Sequence, residues 1–161
     1  MRTRKTIRLL VLAAALLLAL PVSALAEEKT GAIGENGGKW TFNNGELTIS
    51  GAADLSSFRP ENELDFYREI TWVSFGPEVT NIRADAFARC PVDGFSVAEE
   101  NPDYITVEGI LYSKDETELL GVPAAKTGTL DIWSRVTDID MLAFSRCNIS
   151  SIYVDEGNEN Y

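Results

Sequence analysis

The chain has 161 residues with no histidine, and its 14 Lys and Arg against 25 Asp and Glu give a net charge of −11 at pH 7. The lack of histidine excludes Ser-His-Asp and Cys-His nucleophilic machinery and the usual zinc ligand sets. The acidic balance argues against nucleic acid or anionic lipid as a partner, while the 45% hydrophobic content favours a folded core.

Residues 1–26 are typical of a secretory signal peptide. Four basic residues precede an uncharged run from Leu9 to Leu20, and the small-residue motif Ala24-Leu25-Ala26 follows it. The run holds 12 residues, whereas a retained membrane anchor would need roughly 20. We therefore expect cleavage after Ala26 and no membrane insertion afterwards. The remainder carries 10 Lys and Arg against 25 Asp and Glu, a net charge of about −15.

Residues 27–69 are predicted to form an N-terminal cap that consists of a β-hairpin and a short helix. Residues 39–50 alternate apolar and polar side chains on both sides of Asn44-Gly45, a step that tolerates the positive φ angles of a type I′ turn. Four glycines within residues 31–38 predict a loop before the hairpin. The apolar spacing of residues 60–70, which begin with a proline, predicts a short helix.

Residues 70–161 contain a repeat. Residues 79–104 align without gaps with residues 136–161, at an offset of 57 residues and with 11 identities in 26 positions. Most retained residues are of the kinds that fill cores, and recurring core positions are typical of a solenoid whose repeats stack on one another. The predicted repeat core consists of Val79, Ile82, Phe87, Cys90, Val136, Ile139, Phe144 and Cys147.

Each repeat is predicted to contain one strand, one turn and one short helical piece. Pairs of apolar residues two apart indicate four inward-facing strands that can lie side by side in one parallel sheet. The helical pieces cover residues 83–89 and 140–146, and residues 105–123 predict an additional hairpin. Because the last residue, Tyr161, is the repeat counterpart of Tyr104 and no capping repeat follows, we interpret the solenoid as interrupted at its C-terminus. The four apolar pairs are Val73/Phe75, Phe95/Val97, Leu130/Ile132 and Ile152/Val154.

The segments FGPEVTNIRADAFARC, ENPDYITVEGILYSKDETELLGVPAAKTGTL and VTDIDMLAFSRC resemble the BspA-like leucine-rich repeat family of bacterial surface proteins. The stretch GKWTFNNGELTISGAADLSSF, followed by FYREITWVSF, is similar to the hairpin and helix that often open such proteins. The resemblance implies a leucine-rich-repeat-like right-handed solenoid that is mostly β with short helical turns. It also implies export and a part in adhesion or cell-surface interaction.

The composition leaves open two kinds of site built from acidic residues, a catalytic carboxylate pair and a calcium site. The pairs Glu99/Glu100 and Asp155/Glu156 have the chemistry of glycoside hydrolysis, but they follow strands in loops of the repeat, so we interpret them as solvated carboxylates. The run from Asp155 to Asn160 is rich in the oxygen ligands that calcium takes, although its spacing fits no EF-hand loop. We predict no catalytic residue, no metal site and no cofactor.

The outward side of the strands is the predicted binding surface. Exposed aromatic side chains on a sheet bury a large area with few rotatable bonds and so anchor a partner well. An alternative is that the N-terminal helix covers Trp72. The candidate binding residues are Trp72, Ser74, Ser96, Asp131 and Tyr153.

We therefore expect a secreted or cell-surface, non-catalytic module that binds a protein or a glycan. Two alternatives stay open at the level of sequence. One is a fragment of a longer adhesin that has no function of its own. The other is an acidic carbohydrate-active protein that works through paired carboxylates.

The two cysteines are predicted to be free. Two cysteines in an exported chain ordinarily suggest a disulfide, but Cys90 and Cys147 share one repeat position with a further repeat between them. Two strand spacings separate them by about 10 Å, whereas a disulfide needs Cα atoms within about 7 Å. We expect two buried thiols that pack as small apolar residues, unless residues 105–123 loop out and bring the cysteines within reach of each other.

The mass of the secreted protein tests the predicted export. We expect the intact mass of protein recovered from the culture medium to correspond to a chain that begins at Glu27, because the residues before it have the charge, apolar length and cleavage motif of a signal peptide. A product that retains Met1 and sediments with membranes would contradict the prediction.

Overall fold

The computed structural model describes residues 28–161, so the predicted signal peptide lies outside the described residues. Residues 28–161 form a mostly β structure with one short α-helix, α1, and two 3-10 turns. No helix within this range has the length and apolar content needed to cross a membrane. The strands are β1 Lys29–Ile33, β2 Gly38–Asn43, β3 Glu46–Ser50, β4 Trp72–Phe75, β5 Gly94–Val97, β6 Tyr104–Val107, β7 Ile110–Ser113, β8 Glu118–Gly121, β9 Thr127–Ile132, β10 Asp138–Ile139 and β11 Asn148–Val154; α1 is Pro60–Glu63, and the 3-10 turns are Tyr67–Glu69 and Ala84–Phe87.

The predicted hairpin turn between β2 and β3 is confirmed. Asn44 and Gly45 have φ values of 49° and 87°, as a type I′ turn requires, and β2 pairs antiparallel with β3 on either side of them. The predicted loop at residues 31–38 is shorter than expected: residues 34–37 form a turn, but Lys29–Ile33 forms β1 and pairs with β2. Gly31 lies opposite Trp40, whose indole fills the space that a Cβ would need, so this glycine permits a close approach within a strand.

The predicted helix over residues 60–70 is interrupted. Leu64 ends α1 with an extended backbone, at φ −122° and ψ 116°, and a 3-10 turn follows at Tyr67–Glu69. The extended residue lets both Leu64 and Phe66 bury their side chains in the core. Tertiary packing therefore overrides the helical spacing of this segment.

The four predicted repeat strands form two parallel pairs and not the single sheet that the spacing suggested. In one pair Val73 of β4 lies opposite Phe95 of β5, and in the other Leu130 of β9 lies opposite Ile152 of β11. β4 and β5 continue the sheet of the N-terminal hairpin, in the order β1-β2-β3-β4-β5, whereas β9 and β11 make a sheet of their own. The chain between the two pairs forms a third sheet, in the order β10-β8-β7-β6.

The predicted hairpin at residues 105–123 is confirmed by the antiparallel pairing of β7 with β8. β6 adds a second antiparallel pairing to β7, through a turn at Glu108 and Gly109 with φ values of 50° and 79°. Ile110, Leu111 and Tyr112 of β7 are all at most 3% exposed. Leu111 packs in one hydrophobic cluster with the five-stranded sheet, whereas Ile110 and Tyr112 pack in a second cluster with β9. β7 therefore has a buried face on each side.

The two copies of the repeat core are buried to different degrees. In the first copy Val79, Ile82, Phe87 and Cys90 are at most 5% exposed. In the second copy Val136 is fully buried, but Ile139, Phe144 and Cys147 are only partly buried. The first copy packs against the aromatic rings of the five-stranded sheet, while β11 has a paired strand on one side only among the described residues.

The predicted helical pieces are shorter than expected. Residues 83–89 contain the 3-10 turn Ala84–Phe87, and residues 140–146 form hydrogen-bonded turns without a helix. Ala143 N–H donates to the Asp140 carbonyl at 2.9 Å, and Asp140 Oδ1 accepts from Leu142 N–H at 2.7 Å. In this second piece Ala143 is buried, whereas Met141 is 93% and Leu142 39% exposed.

A buried asparagine closes the loop that follows β5. Asn101 is fully buried, and its Nδ2 donates to the carbonyls of Gly76 and Val79, both at 3.1 Å. Its Oδ1 accepts from the N–H groups of Asp103 and Tyr104, again at 3.1 Å. One side chain thus satisfies four backbone groups that would otherwise be costly to bury.

Asn158 repeats this arrangement 57 residues later. Its Nδ2 donates to the carbonyls of Trp133 and Val136 at 2.9 Å, and its Oδ1 accepts from the N–H groups of Asn160 and Tyr161 at 2.8 and 3.2 Å. The sequence contained the signal, because asparagine is identical at both aligned positions. An asparagine retained among core residues indicates a buried polar side chain with a fixed set of partners.

Truncation of the two repeat phenylalanines tests the difference in burial. Phe87 is 1% exposed and packs near the rings of Phe58, Phe75 and Phe95, so we expect Phe87→Ala to lower the free energy of unfolding by about 3–5 kcal/mol. We expect Phe144→Ala to cost less, since its side chain is already partly solvated. Urea unfolding of both variants measures this, and an equal or larger loss for Phe144→Ala would show that the second copy is as tightly packed as the first.

Thiol labelling tests the state of the cysteines, both of which are free in the structure. Burial, followed by the negative charge of Glu61, raises the pKa of Cys90 to about 12, and the thiolate is the reactive form. We expect two reactive thiols in the denatured, unreduced protein and faster labelling of the partly buried Cys147 in the native protein. A denatured protein without reactive thiols, or faster native labelling of Cys90, would contradict this.

The same pKa shift predicts how stability depends on alkaline pH. The folded pKa of Cys90 lies above the ordinary value of 9.0, so the unfolded chain loses the thiol proton first as the pH rises. The contribution of the neutral thiol to stability is therefore fully present below about pH 9 and is lost between that pH and the folded pKa. Replacement of Cys90 by alanine should reduce this part of the alkaline destabilisation.

Candidate functional site

Trp72, Ser74 and Ser96 lie together on one face of the five-stranded sheet. Alternation along β4 buries Val73 and Phe75 and leaves Trp72 and Ser74 on the opposite face. We call the face that carries Trp72, Ser74, Ser96 and Glu46 the outer patch.

The indole of Trp72 is held in place although it is 38% exposed. Its Nε1 donates a hydrogen bond to Ser96 Oγ at 3.3 Å. The ring lies over Gly94 of the neighbouring strand, where any Cβ would collide with it. The N-terminal helix therefore leaves the ring accessible, and the strand beneath it requires glycine.

A row of hydrogen bonds extends from the indole across three strands. Ser96 and Ser74 share a hydrogen bond between their Oγ atoms at 2.7 Å, and Ser74 Oγ donates to Glu46 Oε1 at 2.5 Å. Glu46 was missed by the sequence analysis, because its place opposite Trp72 depends on the parallel pairing of β3 with β4. The outer patch thus presents an aromatic ring beside an ordered row of hydroxyl and carboxylate groups.

Asp131 and Tyr153 lie in the two-stranded sheet, where they are opposite each other. Tyr153 is 55% exposed. Next to this pair, the hydroxyls of Thr129 and Ser151 share a hydrogen bond at 2.8 Å. The five predicted binding residues therefore fall into two groups on different sheets, with Trp72, Ser74 and Ser96 in one and Asp131 and Tyr153 in the other.

The paired carboxylates considered for glycoside hydrolysis are exposed loop residues. Glu99, Glu100, Asp155 and Glu156 all lie in the loops that follow β5 and β11 and are open to solvent. Such an environment supplies no enclosed cleft that could hold a sugar between the two carboxylates.

The acidic run at residues 155–160 is organised by its own backbone. Asp155 Oδ1 accepts a hydrogen bond from Gly157 N–H at 3.0 Å, and the side chain of Asn158 is directed to backbone partners. Within residues 28–161, no group of three or more Cys, Asp or Glu side chains has a spacing suited to a metal ion.

No protein-family model and no curated protein matches the chain. Among solved structures, the chain is similar to a leucine-rich repeat protein from Eubacterium ventriosum, with 16% identity and a TM-score of 0.41 over 82% of this chain and 61% of that protein. It is also similar to the pneumococcal vaccine antigen PcpA, with 20% identity and a TM-score of 0.48 over 55% of this chain and 22% of the antigen. The chain thus spans about three fifths of the first protein and about a fifth of the second.

Proposed function

We propose that the mature chain is a secreted or cell-surface, non-catalytic binding module of the BspA-like leucine-rich repeat type. Its paired strands then belong to a right-handed solenoid, and its outward strand positions bind a protein or a glycan. The observation that carries this proposal is the exposed indole of Trp72, which is fixed over Gly94 and hydrogen-bonded to Ser96.

A fixed aromatic ring favours binding because little side-chain entropy is lost when a partner covers it. The ring of Trp72 supplies an apolar plane, while Ser74 and Glu46 supply hydrogen-bonding groups beside it. This combination suits the C–H face and hydroxyl groups of a sugar, and it equally suits an apolar side chain with a neighbouring peptide group.

The repeat supports a ligand long enough to contact both the outer patch and the two-stranded sheet. At the offset of 57 residues, Ser74 corresponds to Asp131 and Ser96 corresponds to Tyr153. The two-stranded sheet therefore carries an exposed aromatic ring, Tyr153, and a carboxylate, Asp131, at the repeat positions that Ser96 and Ser74 occupy in the outer patch. Two moderate contacts with one ligand strengthen each other, because the second becomes intramolecular once the first has formed.

A binding screen with matched variants tests the proposal. The mature protein, residues 27–161, is screened against extracellular matrix proteins and a glycan array. We expect Trp72→Ala to weaken binding of the best ligand about tenfold or more, since removal of a central aromatic anchor costs at least ~1–2 kcal/mol. Gly94→Ala should also weaken binding, because the added methyl group displaces the indole.

Tyr161→Ala is the matched control, because Tyr161 is 53% exposed but lies outside the strands, and we expect it to leave affinity unchanged. Equal affinity of the parent and Trp72→Ala for every ligand would contradict the proposal. Glycan turnover that disappears in an E99Q/E156Q double variant would contradict its non-catalytic part.

A further inference from the structure

Arginine residues are concentrated in one groove of this acidic protein. Residues 28–161 contain six arginines, and four of them line two adjoining depressions of about 580 and 320 Å³ that share Arg89 and Arg146. Arg68 lines the larger depression and Arg59 the smaller one. We call this combined surface the arginine groove, and none of the outer-patch residues lines it.

Most of the positive charge in the arginine groove is not neutralised by neighbouring carboxylates. Arg89 Nε lies 3.4 Å from Glu61 Oε1. Asp85, the other acid at the groove, binds Arg83 through both carboxylate oxygens, at 3.0 and 2.8 Å. The ion pairs found within residues 28–161 leave Arg59, Arg68 and Arg146 without a carboxylate partner.

The repeat itself brings two of these arginines to the groove. Arg89 and Arg146 occupy the same repeat position, so both copies have arginine there. At another repeat position, by contrast, Arg83 of the first copy corresponds to Asp140 of the second. Arg146 also has a φ of 60°, a left-handed conformation in which glycine or asparagine is favoured.

The wall of the larger depression adds apolar and aromatic surface to these charges. It includes the ring of Tyr67 and the small side chains of Ala124 and Ala125. Arg68 Nε donates to Tyr67 Oη at 2.9 Å, which fixes the guanidinium beside the ring. Guanidinium groups bind carboxylate and sulfate through two parallel hydrogen bonds, while the apolar wall suits the C–H face of a sugar ring.

We propose that the arginine groove binds the terminal acidic sugar of a glycan through its carboxylate or sulfate group. The volume of the larger depression, about 580 Å³, suits a ligand of one or two sugar rings. A long polyanion fits less well, because the net charge of about −15 on the mature chain repels it outside the groove. The site is separate from the outer patch and does not depend on the function proposed for it.

Calorimetric titration of the mature protein tests the proposal with four probes: 3′-sialyllactose, galactose 6-sulfate, neutral lactose and inorganic sulfate. We expect at least one of the two acidic sugars to bind about tenfold or more tightly than lactose and inorganic sulfate. We also expect its affinity to fall as sodium chloride is raised, because Arg68, Arg89 and Arg146 are exposed. Preference for sialyllactose identifies a carboxylate ligand, and preference for galactose 6-sulfate identifies a sulfate ligand.

Charge variants locate the binding in the groove. R68Q/R146Q should weaken binding of the preferred acidic sugar about tenfold or more, because two guanidinium contacts are lost. R135Q is the matched control, since Arg135 pairs with Glu116 outside the groove, and it should bind as the parent does. Arg89 is left unchanged because it pairs with Glu61. If the melting temperature of R68Q/R146Q is lower than that of the parent, the single variant Arg68→Gln is titrated as well. We expect Arg68→Gln to lose affinity for the preferred acidic sugar, but less than the double variant does.

Four results would overturn the proposal. One is equal affinity for lactose and both acidic sugars, and another is inorganic sulfate that binds as tightly as the preferred acidic sugar. The third is unchanged affinity in folded R68Q/R146Q and in Arg68→Gln. The fourth is loss of acidic-sugar binding in Trp72→Ala, which would assign the sugar to the outer patch instead of the groove.

Discussion

Strand β7 is the element on which the rest of the structure depends, because it is buried on both faces and paired on both edges. Leu111 packs with the core of the five-stranded sheet, and Ile110 and Tyr112 pack with the core beneath β9. β6 and β8 occupy its two edges. Ile110, Leu111 and Tyr112 therefore have no solvent-facing side, and only Ser113 at the end of β7 is partly exposed. The sheet that carries Trp72 and the sheet that carries Tyr153 are thus connected through one apolar strand.

The repeat separates the residues that build the scaffold from those that are free to vary. Inward positions keep their apolar character, and asparagine is retained at residues 101 and 158 because each side chain has four backbone partners. Outward positions differ, since Ser74 corresponds to Asp131 and Ser96 to Tyr153. The outer patch and the arginine groove are thus two distinct surfaces on a common scaffold, one with an aromatic ring and hydroxyls, and the other with guanidinium groups.

Local patterns predicted the elements, whereas contacts between distant segments decided their arrangement. The Asn44-Gly45 turn and the inward pair Val73/Phe75 follow from nearest-neighbour chemistry, and the same alternation placed Trp72 correctly on the outer face. Strand β1 was missed because the fit of Gly31 against Trp40 depends on a partner strand. The division into three sheets depends on where residues 105–123 pack, and the arginine groove is assembled from segments far apart in the sequence. Neither is visible in a local pattern.

Native-state hydrogen exchange at β7 tests most directly whether this strand couples the two cores. If it does, the hydrogen-bonded amides of Leu111 and Tyr112 exchange only through global unfolding, and their exchange free energies equal the free energy of unfolding from urea titration. They should also match those of the slowest amides in β4 and β9, one from each core. Exchange of the β7 amides through local opening, at a free energy several kcal/mol below the global value, would contradict the coupling.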